Sequence, residues 1–332
     1  MNPRACTAIL AATLVLTACA ERQERVLVAI DGSSTVYPVT EAVAEEFMAS
    51  RHGEIQVTVG VSGTGGGFKK FCRGETAISN ASRPILEEEL KACAASGVEF
   101  IELPVAFDAL TVVVHPENTW ADELTVAQLK TVWEPEAQGR VMRWNQIDPS
   151  FPDAPLRLFG AGADSGTFDY FTEAMVGRAK SSRGDFTASE DDNVLVTGVS
   201  QDVNALGFFG FAYYEENRDK LRSVAIKLDE DAPAVRPSPE HVMDGTYQPL
   251  SRPIFIYVNA RMAAERPEVR EFVEYYLTEA VDLIEEVKYI PLPPRAYELA
   301  RQKFRAGTTG TVFGGHSEIG VSIEDLLKRS SR

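Results

Sequence analysis

Three times in this chain an apolar, strand-like run ends in hydroxyl and glycine residues and passes at once into residues spaced like one face of a helix. Residues 26–30 are followed by Asp31-Gly32-Ser33-Ser34-Thr35, then by Val39, Val43 and Phe47. Ile55, Val57, Val59 and Val61 alternate as in a half-buried strand, and Ser62-Gly63-Thr64-Gly65-Gly66-Gly67 separates them from Phe68, Phe71 and Cys72. Residues 156–159 lead into Gly160-Ala161-Gly162-Ala163-Asp164-Ser165-Gly166-Thr167, with Phe168, Phe171 and Met175 beyond. Repetition of strand, turn and helix predicts an α/β fold. The first N–H groups of a helix lack internal acceptors, and the helix dipole adds about half a positive charge there, so each turn offers a seat for an anion. Ser and Thr are also ordinary helix caps, and each turn alone admits that structural reading.

A chain of 332 residues is long for a single core and predicts two lobes. Two apolar runs, 109–114 and 253–258, flank the middle third, as in a chain that leaves one lobe, builds a second and crosses back. The expected division is lobe 1 over 26–112 and 253–332, and lobe 2 over 113–252. Within it, Val126, Leu129 and Trp133 mark a helix. Val194, Val196 and Val199 mark another behind the cap-like stretch Ser189-Glu190-Asp191-Asp192-Asn193, and residues 205–211 a strand. Val269, Phe272, Val273 and Tyr276 mark a further helix, residues 307–320 a loop, and residues 326–332 a frayed basic end.

The formal net charge of −16 works against nucleic acid or an anionic membrane surface as partner. An anion would have to be held by local dipoles and a few chosen cations. Residues 1–19 read as an export leader: Arg4, an apolar run over 8–16, then Leu16-Thr17-Ala18-Cys19, which has the form of a lipoprotein signal with Cys19 as the lipidated residue. An ordinary secretory leader is the alternative. Cys72 and Cys93 remain, either bridged, as exported thiols tend to be, or separately buried. No metal site is expected, because these cysteines and the scattered His52, His115, His241 and His316 lack close ligand spacing.

The run Ile78-Ser79-Asn80-Ala81-Ser82-Arg83-Pro84-Ile85 ends a short strand with an arginine held extended by the following proline. Its guanidinium fork would suit a tetrahedral oxyanion, and Arg183 is a second, weaker candidate cation in a polar loop. Enzyme motifs fail in detail. Gly67 is followed by Phe68 where a phosphate-binding P-loop needs Lys and then Ser or Thr, and Ser165 stands one place too late for a nucleophile elbow.

The motifs Gly32-Ser33-Ser34-Thr35-Val36-Tyr37-Pro38, Ser62-Gly63-Thr64-Gly65-Gly66-Gly67-Phe68, Ile78 through Ile85, and Asp164-Ser165-Gly166-Thr167 resemble the periplasmic phosphate-binding proteins of ABC transporters, the PstS type. The resemblance covers nearly the whole chain beyond the leader. It implies the two-lobed type II periplasmic binding protein fold, each lobe a mixed sheet flanked by helices, with inorganic phosphate buried between them. It also implies a monomer outside the cytoplasmic membrane that delivers phosphate to a membrane permease, with no cofactor and no catalysis. Carried over by position, Ser34, Thr35, Thr64, Ser165, Gly166 and Thr167 bind the ligand, with Ser33 beside them. Ser82 stands where many members have a carboxylate, and Ala161 where many have an arginine. Arg83 is therefore expected to supply the guanidinium and Asp164 to accept the proton that distinguishes phosphate from sulfate. A binding protein for sulfate or molybdate, or a phosphate-ester hydrolase, is the alternative.

Overall fold

The computed structural model describes residues 26–279, 281–316 and 318–330; the expected leader, with Cys19, lies outside them. The first lobe begins with β1 (Val26–Gly32), α1 (Tyr37–Ser50), β2 (Ile55–Val61), α2 (Gly63–Phe71), β3 (Ile78–Ala81) and α3 (Glu87–Ala95). Strand β4 (Phe100–Val114) carries the chain into the second lobe. There follow β5 (Glu123–Thr125), α4 (Val126–Trp133), β6 (Arg157–Ala161), α5 (Gly166–Val176), β7 (Thr187–Ser189), α6 (Asp192–Ser200), β8 (Ala205–Gly210), α7 (Phe211–Glu216), β9 (Arg222–Ser223), β10 (Ala225–Lys227) and α8 (Pro239–Met243). The chain returns through β11 (Ser251–Asn259) to α9 (Ala260–Glu265), α10 (Pro267–Thr278), α11 (Val281–Glu286), β12 (Ile290–Pro291), α12 (Pro294–Arg305) and α13 (Ile323–Ser330).

The main sheet has the order β2-β1-β3-β11-β4-β8-β6-β7. Strands β1, β2 and β3 are parallel, as are β6, β7 and β8, while β11 runs antiparallel to both β3 and β4. Strand β4 serves both lobes. Up to Ala109 it pairs with β11, and from Leu110 to Val114 it pairs with β8. All 15 of its residues are buried, which explains a nearly unbroken apolar sequence where a one-sided strand would alternate.

Each lobe closes over its own aromatic cluster. In the second, the Trp133 ring meets Phe171, Phe186 and Phe208 edge-on, and Phe171 and Phe208 stack with centroids 3.8 Å apart. In the first, Phe47 meets Phe272 and Phe68 meets Tyr257 in the same edge-on manner. The sulfurs of Cys72, just past α2, and Cys93, in α3, stand at bonding distance.

Three local expectations change. Residues 63–67 are already helical and form the first half of α2. Their glycines serve close approach: a Cβ at Gly67 would stand 2.6 Å from the Gly32 Cα and 3.1 Å from the Asp31 carbonyl oxygen, so α2 presses directly on β1. Helix α6 is capped by Asp191, inside the stretch expected to cap it, whose carboxylate accepts from the Asn193 N–H, but Val194 turns to solvent while Leu195, Val196 and Val199 face the core. At the other end, α13 runs to Ser330, with Leu326 buried in a small pocket beside Phe255 and Phe313.

Gly67→Ala tests the contact of α2 with β1. Its methyl group meets backbone that has no rotamer to yield, so a loss of about 1–3 kcal/mol is expected in urea unfolding. An unchanged midpoint would show that the two elements can separate freely.

Candidate functional site

The hydroxyl-rich segments lie at the carboxyl ends of β1, β2 and β3 and, facing them, at the carboxyl end of the oppositely running β6; carboxyl ends of strands are where ligands bind in open α/β sheets. Ser33, Ser34 and Thr35 bridge β1 to α1 and are buried. The Ser33 N–H donates to the Asn80 carbonyl at 3.1 Å, which fixes the turn to β3. The Tyr213 hydroxyl, from the second lobe, donates to the Ser34 carbonyl at 3.0 Å, and the Tyr289 hydroxyl donates to the Thr35 carbonyl. Burial, before any other cause, raises the pKa of both phenols, so they stay neutral donors. Among the described residues the N–H groups of Ser34 and Thr35 have no backbone acceptor and remain available to a ligand.

From the second lobe the start of α5 comes against this turn. Ser165 caps the helix by accepting from the Thr167 N–H at 3.1 Å, and the Thr167 hydroxyl lies 2.9 Å from that of Thr35. Thr64, in α2, and Ser82, after β3, share a hydroxyl contact of 3.2 Å, and the Ser82 N–H donates to Thr64 Oγ1 at 3.2 Å. Only glycine fits between them and α5: a Cβ at Gly166 would fall 2.5 Å from Thr64 Oγ1 and 2.6 Å from Ser82 Oγ. Ser34, Thr35, Thr64, Ser82, Ser165, Gly166 and Thr167 are thus brought together, from three separate stretches of one lobe and one of the other.

The guanidinium at this cluster belongs to Arg252. It sits directly opposite Asp108 where β11 crosses β4, and both side chains are buried. Its Nε and one terminal nitrogen donate to Asp108 Oδ2 at 3.1 and 2.9 Å. The remaining donors reach the Gly166 carbonyl at 3.2 Å and Thr167 Oγ1 at 2.8 Å, and the group lies over the Tyr170 ring. Asp108 is completed by the Phe211 N–H at 3.1 Å.

A second buried carboxylate, Asp192 at the start of α6, accepts from the Ser34 hydroxyl at 3.2 Å, while its Oδ2 has no hydrogen-bond partner among the described residues. Burial, reinforced by Asp108, pushes its pKa up to about 7.

The three charged candidates are placed elsewhere. Arg83 is fully buried, but it donates to both oxygens of Glu89 at 2.8 Å, to Asp169 Oδ2 at 2.7 Å and to the Pro84 carbonyl at 3.0 Å. Burial alone would lower its pKa, and the carboxylates of Glu89 and Asp169 more than reverse this, so it stays charged and over-compensated. Asp164 turns its carboxylate to the surface, where it pairs with Lys69 at 2.8 Å; its carbonyl accepts from the Gly65 N–H at 2.8 Å. Arg183 is spent on Asp185 and on the Val132 and Val141 carbonyls, none of which belongs to the cluster. Among the described residues no group of three or more His, Cys, Asp and Glu side chains could hold a metal ion.

Arg252, Asp108 and Asp192 escaped the sequence reading. Arg252 carries the same local signal as Arg83, an arginine before a proline at the border of an apolar run. Asp192 lies inside an acidic stretch, Glu190-Asp191-Asp192, that reads as a cap and surface.

This arrangement defines a class: a two-lobed α/β protein that gathers hydroxyl and N–H donors and one guanidinium at a single buried point. The profile of the PBP superfamily domain matches residues 18–280. Protein SphX of Synechococcus elongatus is 55% identical over 305 residues, spanning 92% of this chain and 89% of that protein. The phosphate-binding protein PstS of Staphylococcus saprophyticus is 35% identical over 275 residues, with 82% of each chain covered. A substrate-binding protein from Clostridium perfringens, solved with bound phosphate, superposes with a TM-score of 0.68 at 25% identity, covering 80% of this chain and all of that one. The chain belongs to the PBP superfamily and, within it, to the PstS-type family.

Arg252→Met would strand Asp108 in the protein interior, and a loss of about 3–5 kcal/mol in chemical denaturation is expected. The double variant Arg252→Met/Asp108→Leu should recover much of that stability while leaving the cluster without its cation. Equal destabilisation in both variants would show that packing, not charge pairing, holds the crossing.

Proposed function

We propose that this protein binds inorganic phosphate outside the cytoplasmic membrane and hands it to the permease of an ABC-type importer. The observation that supports this most is the convergence of Arg252 with the Ser34, Thr35, Thr64, Ser82 and Thr167 hydroxyls and the start of α5 at one buried point. Hydrogen bonds to a charged group contribute roughly 1.5–3 kcal/mol each, so a handful, less ordering and desolvation, reaches the roughly −8 kcal/mol of micromolar affinity. None of these donors needs a nucleophile, and the hydroxyl of Ser34 faces a carboxylate rather than a histidine.

Asp192 takes the part first given to Asp164. Its free oxygen belongs to a buried carboxyl beside the Ser34 hydroxyl, where it can share the proton that phosphate keeps and sulfate lacks. Below its raised pKa the carboxyl carries a proton and can donate to either anion. Above it, the carboxylate repels sulfate but still accepts phosphate's own proton. The other attributes belong to the same reading: a leader over 1–19, lipidation at Cys19, a Cys72–Cys93 bridge closed in the oxidising envelope, lobes divided at the two crossing strands, and a monomer.

Titration calorimetry of the soluble form from Glu21 onward, stripped by unfolding and refolding, should show phosphate bound far more tightly than sulfate. That preference should grow as pH rises through about 7. Asp192→Asn should flatten the pH dependence and shrink the preference by roughly 10- to 100-fold, the worth of one charged hydrogen bond. Equal binding of both anions by the parent protein would instead support a general oxyanion carrier.

A further inference from the structure

Among the described residues three ion pairs join the lobes near the cleft, and they are not equivalent. Lys69–Asp164 at 2.8 Å and Lys180–Glu88 at 3.0 Å have side chains 44–68% exposed, where salt and water leave such pairs little weight. The third, Arg83 to Asp169 at 2.7 Å, is shut away from solvent, with side-chain exposures of 0% and 1%.

Among the described residues every other hydrogen-bond and ring partner of Arg83 belongs to its own lobe. Glu89 grips two of its nitrogens and also accepts from the Leu86 N–H at 2.8 Å; the Pro84 carbonyl takes another donor, and the Phe68 ring lies beneath. Arg83 is therefore oriented and neutralised before the second lobe arrives. Among the described residues Asp169 is the hydrogen-bond partner the second lobe adds, from α5, three residues beyond the Gly166 that abuts Thr64 and Ser82, with the Lys180 charge of the same lobe close enough to act on both Asp169 and Arg83. Asp169 Oδ1 has no hydrogen-bond partner among the described residues, so a pre-neutralised cation receives a second carboxylate that is only partly satisfied, Lys180 acting on it from a distance. The desolvation this requires offsets most of the attraction, which leaves the contact near balance unless something else brings α5 in.

We propose that Asp169 is a positioning residue, a closing latch that docks onto the pre-oriented Arg83–Glu89 pair when the anion draws in the start of α5, and so sets how long the ligand stays. The helix that grips the anion at its first turn carries the latch on the same turn, so ligand capture and latching are one rigid-body event. Arg83 then acts through closure and not by touching the ligand. The proposal takes its ligand from the phosphate reading, while its structural part stands apart from it.

The test is stopped-flow release of phosphate from the intact soluble protein and from Asp169→Ala, with Asp169→Asn as the second variant should the first not fold. Release at least about tenfold faster, little change in association rate, and an unaltered ratio of phosphate to sulfate affinity are expected, because truncating one partner of a buried charged pair acts on dissociation. Glu88→Ala, at an exposed pair, should leave release within about twofold of the parent. Small-angle scattering at anion saturation should show Asp169→Ala less compact than the parent. Unchanged release, a loss confined to association, or tighter phosphate binding would overturn the latch, the last by showing that freeing Arg83 of Asp169 turns it on the ligand. If the parent binds no phosphate, the phosphate reading fails separately. The latch is then read with sulfate or molybdate as the anion, where equal release and equal compactness of parent and variant overturn it, and it falls as well if no anion binds.

Discussion

The buried pair of Asp108 and Arg252 is the interaction on which fold and site both depend. Each residue sits on one of the two strands that cross between lobes, directly opposite the other and next to the position where β4 changes partners. A guanidinium there would be prohibitively costly without its carboxylate, and the carboxylate in turn is completed by the first N–H of α7. With two of its edges committed to Asp108, the fork can point its other donors only at the Gly166 carbonyl and the Thr167 hydroxyl. The crossing that joins the lobes is therefore also what aims the cation.

Around that cation the remaining charge is arranged sparingly, as a chain with a net charge of −16 requires. The donors are neutral: hydroxyls, and N–H groups at the starts of α1 and α5. Their field acts over one helical turn, so the acidic surface need not be offset as a whole. The two tyrosines that hold the Ser34 and Thr35 carbonyls keep those N–H groups turned inward, so the first-lobe turn is braced from both lobes.

Much of this was legible. Strand, hydroxyl turn and helix are local patterns: the first two turns share an edge because β1 and β2 are parallel, and the third meets them because β6 runs the opposite way and points its carboxyl end back at theirs. The apolar runs over 109–114 and 253–258 announced β4 and β11 as strands. What local pattern could not supply was partner choice. Arg83-Pro84 and Arg252-Pro253 look alike in sequence, but one arginine meets Glu89 six residues away and the other meets Asp108 across 144 positions. Acidic residues posed the same difficulty: Asp164 beside the Ser-Gly-Thr turn faces solvent, while Asp192, embedded among other acids, is buried. The early start of α2 was hidden because a run of glycines reads as a turn unless a neighbouring strand presses against it.

Because β4 is hydrogen-bonded along one half to the first lobe and along the other to the second, the two bodies cannot slide past one another or drift apart without breaking a sheet. What is left to them is rotation about the short stretch around Ala109 and Ser251, where the ladder hands over. A molecule with one such degree of freedom opens along the same arc whichever lobe is pulled. A docking partner would need no dedicated lever: a modest torque on either half, applied at any distance from the crossing, is geared to the same mouth.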